Sequence, residues 1–343
     1  MAHLGVGEPS DPTGDRATPS APAVPRRILN AVLRGSEGWT GIGAVLVVLI
    51  VALSIARSDF LTSSNIWNVL RANAIPIVMA CGMTFVIIAR GIDLSVGALL
   101  ALVSMLLGEA LTHGWPGGLA VVVVIAGGLA LGLVNGLLIG VVKINFFVVT
   151  LGTSLIFTSC SLLITSGNTI TLFGVRGFGL TNTLGNANVG AVPVPAIVAA
   201  IVFVVCYAVL RWTVYGRDVY ATGGNPDAAR LAGIPVDRVT VAAYGISGLL
   251  AGLAAVMYTG RIESATPQVG SDLALAVIAA VLLGGVSFAG GAGSIVGTLI
   301  GALLLGVITN GLDLLGVSSF WQGDVTGAIL IIAVFLDRFR RRA

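Results

Sequence analysis

The chain is predicted to be all-α, a polytopic membrane helical bundle of about ten transmembrane spans, and three observations predict it. Of its 343 residues, 56% are hydrophobic and 10% charged, whereas in soluble domains about a quarter are charged. A helix crosses a bilayer of roughly 30 Å with about 20 apolar residues, so ten helices consume about 200, close to what that hydrophobic fraction supplies. Glycine, at 47 residues, is abundant and regularly spaced, as closely packed membrane helices require.

Residues 1–25 hold Pro9, Pro12, Pro19, Pro22 and Pro25 among Ala, Ser, Thr, Gly and Asp, a composition that buries too little apolar surface to offset ordering. The expected organisation is a disordered cytoplasmic tail over 1–38 ending in a basic segment, one membrane domain over 39–337, and a basic cytoplasmic tail over 338–343. No apolar run precedes Trp39, so the tail is not read as a cleavable signal peptide.

Apolar runs place spans at about 39–56, 72–89, 94–112, 118–142, 146–165, 193–211, 239–259, 272–288, 293–311 and 320–336. The pairs around 90–97 and 284–293 are closely spaced, so a half-span or re-entrant segment there makes nine or eleven. An even count puts both termini on one side. Placing them in the cytoplasm leaves about 14 basic residues inside and about 4 outside, namely Arg57, Arg71, Arg176 and Arg261, as the positive-inside rule requires. Arg26, Arg27 and Arg340–Arg342 then read as topology determinants and contacts for anionic membrane lipid, not as nucleic-acid patches.

Most enzyme classes lack their residues here. His3 and His113 belong to no metal-ligand cluster, and Cys81, Cys160 and Cys206 lie in apolar runs without CxxC spacing, as small buried core residues do. The only lysine, Lys143, follows Gly140-Val-Val and lacks the glycine-rich approach and the following Ser/Thr of a phosphate loop. No catalytic residue, metal site or cofactor is expected, and ATP, if used, must be bound by another chain.

Gly128, Gly132, Gly136 and Gly140 repeat every fourth residue, as do Gly248 with Gly252 and Gly293, Gly297 with Gly301. Each row makes a flat face for close helix approach, read as packing within the bundle rather than dimerisation.

Three polar segments interrupt the apolar pattern. The longest expected cytoplasmic loop, 212–238, contains Asn225, Pro226, Asp227, Ala228, Ala229, Arg230, Leu231, Ala232 and Gly233: an N-cap Asn, Pro at the first helical position, an acid at the positive helix end and Gly at C′. This predicts a helix of about two turns, marginal by itself and suited to docking on a partner or on its own protein. The break Arg90-Gly91-Ile92-Asp93-Leu94-Ser95-Val96-Gly97 carries an acid at membrane depth, a functional candidate by default and equally a cap for the next helix. Residues 284–293, with Gly284, Gly285, Gly290, Gly291 and Gly293, are too glycine-rich for unbroken helix, and broken backbone at that depth must be buried or line a cavity.

The runs Gly91–Gly97, Thr150-Leu151-Gly152-Thr153, Gly223–Ile234, Leu283–Gly291 and Asn310–Ser319 together resemble the membrane permeases of ribose-type sugar ABC importers, a family serving ribose, xylose, arabinose, galactose and related small sugars. The resemblance runs from about residue 39 to the end, with five blocks in the family's order. It implies a bacterial cytoplasmic-membrane permease that forms the pore with a second copy or a paralogue. It also implies a cytoplasmic ATPase that binds the ATP and a periplasmic or lipid-anchored sugar-binding protein that delivers the substrate. Residues 225–233 match the family's coupling helix, which contacts the ATPase. Candidates for the translocation pathway are Asp93, Ser95, Asn145, Phe146, Phe147, Thr150 and Asp272. Two departures stand out: Asn145-Phe146-Phe147 replaces the family's usual Asn-Pro-Phe, and positions often acidic are here Ala274 and Ala276. A gradient-driven secondary sugar transporter is the alternative. It needs a relay of ionisable groups at midplane, and beyond Asp93 the acids Glu109, Asp272, Asp313 and Asp324 all fall near expected span ends.

Overall fold

A computed structural model describes residues 1–3, 40–270 and 272–318, together with 321, 323–325, 327–329 and 331. Nearly all of the leading tail, most of the tenth expected span and the basic tail over 338–343 lie outside the described residues.

The long apolar runs are helices: α1 (Thr40–Ala56), α2 (Ser63–Ile88), α3 (Val96–Thr112), α4 (Gly117–Gly140) and α5 (Phe146–Thr165). A connection follows, with the pair-forming strand β1 (Ile170–Thr171), a short helix α6 (Gly179–Asn186) and the hairpin β2 (Asn188–Val189) to β3 (Val192–Pro193). Then come α7 (Val194–Trp212), α8 (Val214–Gly224), α9 (Pro226–Leu231), α10 (Val236–Ile262), β4 (Ser264–Ala265), α11 (Leu273–Leu283) and α12 (Ile295–Leu314). β1 pairs antiparallel with β4. Among the described residues six helices are long and apolar enough to cross a membrane, namely α2, α4, α5, α7, α10 and α12, while α1, α3 and α11 are shorter apolar helices.

Burial separates centre from rim. The hydrophobic windows of α2 and α10 are 83% and 67% buried, against 22–28% for α4, α5 and α7. Apolar residues on those rim helices, such as Val122, Leu155, Ile156 and Val204, point outward, as lipid-facing side chains must when the solvent is hydrocarbon. Cys160 is on this outer face while Cys81 and Cys206 are buried, which corrects the expectation of three core cysteines: an apolar run in a membrane helix has a lipid face as well as a core face.

The glycine rows act through backbone approach. Side chains at Gly128, Gly136 and Gly140 would meet the backbone of Gly248, Val241 and Asp237 at 2.6–2.8 Å, and one at Gly132 would overlap the Tyr244 carbonyl oxygen. The row therefore seats α4 on α10 within one chain. Gly297 and Gly301 do the same for α12, lying against Gly284 and the Ala280 carbonyl. Gly293 does not belong to that row. It precedes the N-cap Ser294 with positive φ (+139°), close to Val286, because Ser294 Oγ accepts the Gly297 N–H at 3.0 Å and α12 starts only at Ile295.

Pro76 lies inside α2, where it cannot donate to the carbonyl four residues back. That carbonyl, of Ala72, instead accepts from Arg261 at 3.4 Å at the far end of α10.

Candidate coupling site and polar core

The loop 212–238 folds as two helices rather than one. Thr213 caps α8, its hydroxyl accepting the Gly216 N–H at 3.1 Å. After Gly224 the chain turns at Asn225, whose Oδ1 accepts the N–H groups of Asp227 and Ala228 at 3.1 and 3.0 Å. Pro226 occupies the first position of α9, where a missing N–H costs nothing. The helix ends in a Schellman arrangement: Gly233 takes φ +82°, its N–H donates to Arg230 O, and the Ile234 N–H donates to Ala229 O, both at 3.0 Å. Both ends of this six-residue helix are thus specified by local chemistry.

Its faces differ. Ala229 is buried, whereas Leu231 is 92% exposed. Arg230 reaches Asp227 at 3.1 Å and Asp237 at 3.5 Å, and Asp237 is also paired with Lys143 at the end of α4. These exposed pairs contribute little stability singly, but they tie α9 to the ends of α4 and α10. Arg90, Gly91, Phe146, Thr222 and Tyr244 share a small cavity of about 190 Å³ with Arg230 on the inner side of α9.

Behind that cavity lies the break after α2. Arg90 adopts φ +71°, and Asp93 and Ser95 are fully buried. Asp93 Oδ1 accepts the Ser95 N–H at 3.0 Å and the Ser95 hydroxyl at 2.6 Å, while Oδ2 accepts the Ser247 hydroxyl at 3.0 Å from α10. Asn135 of α4 donates to Ser95 Oγ at 2.8 Å, and the Tyr244 hydroxyl donates to Ile92 O at 3.1 Å. Ser247 is eleven residues into α10, roughly 16 Å along its axis, so this network sits in the interior of the bundle. α3 consequently begins inside the protein, and Gly97 in its first turn lies directly against the Gly270 carbonyl ahead of α11. Two interrupted segments meet there.

One joint connects the surface helix to the core. The Gly291 N–H donates to Ile88 O at 2.8 Å, and any side chain on Gly223 would overlap the same carbonyl oxygen. The end of α8, the last turn of α2 and the loop between α11 and α12 are therefore in backbone contact.

Comparison with known proteins decides which family this bundle belongs to. The family described as the branched-chain amino acid transport system permease component matches residues 65–334. The chain belongs to this permease family. The permease is 46% identical to the ribose import permease RbsC of Bacillus subtilis strain 168 over 294 residues, which is 85% of this chain and 90% of that one. It is 39% identical to RbsC of Escherichia coli K12, covering 85% and 91%, and 36% identical to the D-allose transport system permease AlsC of the same strain, covering 88% and 92%. No solved structure matches the chain.

The residues singled out in the sequence occupy different places in the permease. Asp93 and Ser95 form the core network. Asp93 is not the N-cap of α3, which is Ser95; it accepts the Ser95 amide of the turn entering that helix and also bridges to α10. Asn145 caps α5 by accepting the Phe147 N–H at 2.8 Å, so the missing proline of the family motif leaves the helix start intact. Phe146 lines the small cavity beneath α9, Phe147 is 54% exposed, and Thr150 is buried with its hydroxyl donating to Phe146 O at 2.9 Å. Asp272 is exposed at the start of α11 and makes no side-chain cap bond, so it is not brought to the network. Ala274, on that same helix, is buried, its Cβ 3.4 Å from where a β-carbon on Gly97 would stand.

Asn135, Ser247 and Tyr244 were missed in the sequence. A lone Asn in an otherwise apolar span was a usable signal for the first, because an unpartnered amide in hydrocarbon is costly. Ser247 and Tyr244 gave none, being common in membrane helices.

Proposed function

We propose that the permease is the membrane subunit of a binding-protein-dependent ABC importer for a monosaccharide, ribose or a closely related aldose, in the bacterial cytoplasmic membrane. Two permeases line the pore, a cytoplasmic ATPase supplies both nucleotide sites, and a periplasmic or lipid-anchored binding protein delivers the sugar. The permease itself binds no nucleotide. Ten spans with both termini in the cytoplasm place α9, Lys143 and Arg211 on the ATPase side, in accord with the positive-inside rule.

The observation that carries this reading is the joint between α9 and the core. A rigid, doubly capped helix with an exposed Leu231 can be held in a groove of a partner. When ATP closes the ATPase, α9 moves, α8 moves with it, and the contact of Gly223 with Ile88 O shifts the last turn of α2 and the break that carries Asp93. The names of the relatives, two ribose permeases and a D-allose permease, support an aldose as cargo.

The test is uptake of radiolabelled ribose into proteoliposomes holding the permease with its ATPase and binding protein. ATP-dependent uptake that Arg230→Glu abolishes, with ATP hydrolysis persisting, is the expected result. Uptake that needs no ATPase and collapses with an ionophore would overturn the proposal in favour of gradient-driven transport.

A further inference from the structure

The small cavity of about 190 Å³ beneath α9 carries a buried polar group without a partner and a positive charge without a counter-charge. Arg90, Lys143 and Arg230 line it, and no carboxylate does. Lys143 and Arg230 share Asp237, and Arg230 also reaches Asp227, so two acids outside the lining serve two of the cations. Arg90 forms no ion pair among the described residues. The three exposed cations mark the mouth of the cavity, and Thr222, Gly91 and Tyr244, all buried, close its inner end.

Thr222 is 3% exposed, yet its hydroxyl has no hydrogen-bond partner among the described residues, a costly state for a buried polar group. Thr150, Thr153 and Thr240 return their hydroxyls to the carbonyl four residues back, the ordinary resort of a helical threonine. Thr222, inside α8, does not, so its hydroxyl is turned off the carbonyls of its own helix, on the cavity that it lines. Two of the cations are set by left-handed backbone at helix ends. Arg90 has φ +71° and Lys143 φ +67°, where glycine is the usual residue. A β-carbon on Gly290 would stand 2.8 Å from that of Arg90, so the loop between α11 and α12 fixes the root of the Arg90 side chain.

We propose that this cavity binds a phosphate group, free or as the monoester end of a small metabolite. Arg90 and Arg230 supply forked donors to the phosphate oxygens, Lys143 supplies a third positive charge, and the Thr222 hydroxyl is the donor at the inner end. A phosphate there joins α8 through Thr222, α9 through Arg230 and the break after α2 through Arg90. These are the segments between α9 and Asp93, so occupancy holds α9 to the core. That consequence rests on the coupling role proposed above; the binding itself does not.

Isothermal titration calorimetry of the full-length permease in mild detergent tests the site, with inorganic phosphate and ribose 5-phosphate as separate titrants and chloride at matched ionic strength as the blank. The wild type should bind phosphate, with Thr222→Val and Arg90→Gln each about tenfold weaker. Arg238→Gln, an exposed arginine outside the cavity, should behave as wild type. Inorganic phosphate binding as tightly as the ester identifies a free anion, and tighter binding of the ester identifies a metabolite. No binding of either titrant by the wild type, or binding that Thr222→Val or Arg90→Gln leaves unchanged, overturns the proposal. Thr222→Val removes only the hydroxyl at nearly constant volume, so it decides the matter should Arg90→Gln fail to fold. Because the titration uses the permease alone, its failure leaves the importer reading, tested by uptake, untouched.

Discussion

Gly291 donates its N–H to the Ile88 carbonyl at 2.8 Å, so one main-chain hydrogen bond joins the loop between α11 and α12 to the last turn of α2. Gly223 presses against the same oxygen with no room for a β-carbon. Three segments far apart in sequence thus share one carbonyl, and glycine is required in two of them because the backbone itself is the contact surface.

Gly223→Ala should therefore separate α8 from α2. Overpacking of this kind costs about 1–3 kcal/mol, and the displacement falls on the path between α9 and the core. ATP-driven uptake in proteoliposomes should drop at least about tenfold, the equivalent of roughly 1.4 kcal/mol in coupling, while basal hydrolysis continues. Normal coupling in this variant would mean that the joint does not transmit motion.

Asp93 accepts three hydrogen bonds, one from an amide and two from hydroxyls. Asp93→Asn keeps an oxygen for the Ser95 N–H, and its amide can donate to Ser247 Oγ. Asp93→Ala leaves buried donors without an acceptor at about 1–3 kcal/mol each. Thermal unfolding in detergent should show the alanine variant clearly less stable than the asparagine variant. Equal loss in both would point to the charge itself.

The seam between α4 and α10 gives a paired experiment. A methyl at Gly132 would overlap the Tyr244 carbonyl, whereas one at Gly127 would meet nothing within 4 Å. Gly132→Ala should destabilise the permease by about 1–3 kcal/mol. Gly127→Ala should be neutral or stabilising by up to about 1 kcal/mol, the helix-propensity gain. Differential scanning fluorimetry reads both.

At α9 the caps are separable from the ion pairs. Gly233→Val forces a β-branched residue to φ +82°, and Asn225→Ala removes a cap worth about 1 kcal/mol. Both should weaken co-purification of the ATPase while membrane insertion is unaffected. Since Arg230 and its acids are exposed, raising salt should change binding less than losing either cap does.

Much of the architecture was legible because lipid imposes one rule on sequence: a spanning segment must be apolar and helical. Nine of the expected spans fall on helices, α1–α5, α7 and α10–α12, of which six are long and apolar enough to cross a membrane, and both caps of α9 could be read from Asn225, Pro226 and Gly233. Less legible were α6, the two short strand pairs and α8, whose sequences carry no long-range periodicity. Gly293 continued a four-residue spacing by number, yet Ser294 starts the helix after it.

By itself, then, the sequence determined the solvent, the helical class, the order of the apolar helices and the ends of α9, all of which follow from hydropathy and from bonds within a few residues. Tertiary structure alone decided which glycine row faces which helix, which polar residues share the core with Asp93, and that Ile88, Gly223 and Gly291 converge. The reason is physical: hydropathy says that a residue leaves water but not what it meets, and a backbone carbonyl, present at every residue, marks nothing in a sequence until packing brings two others to it.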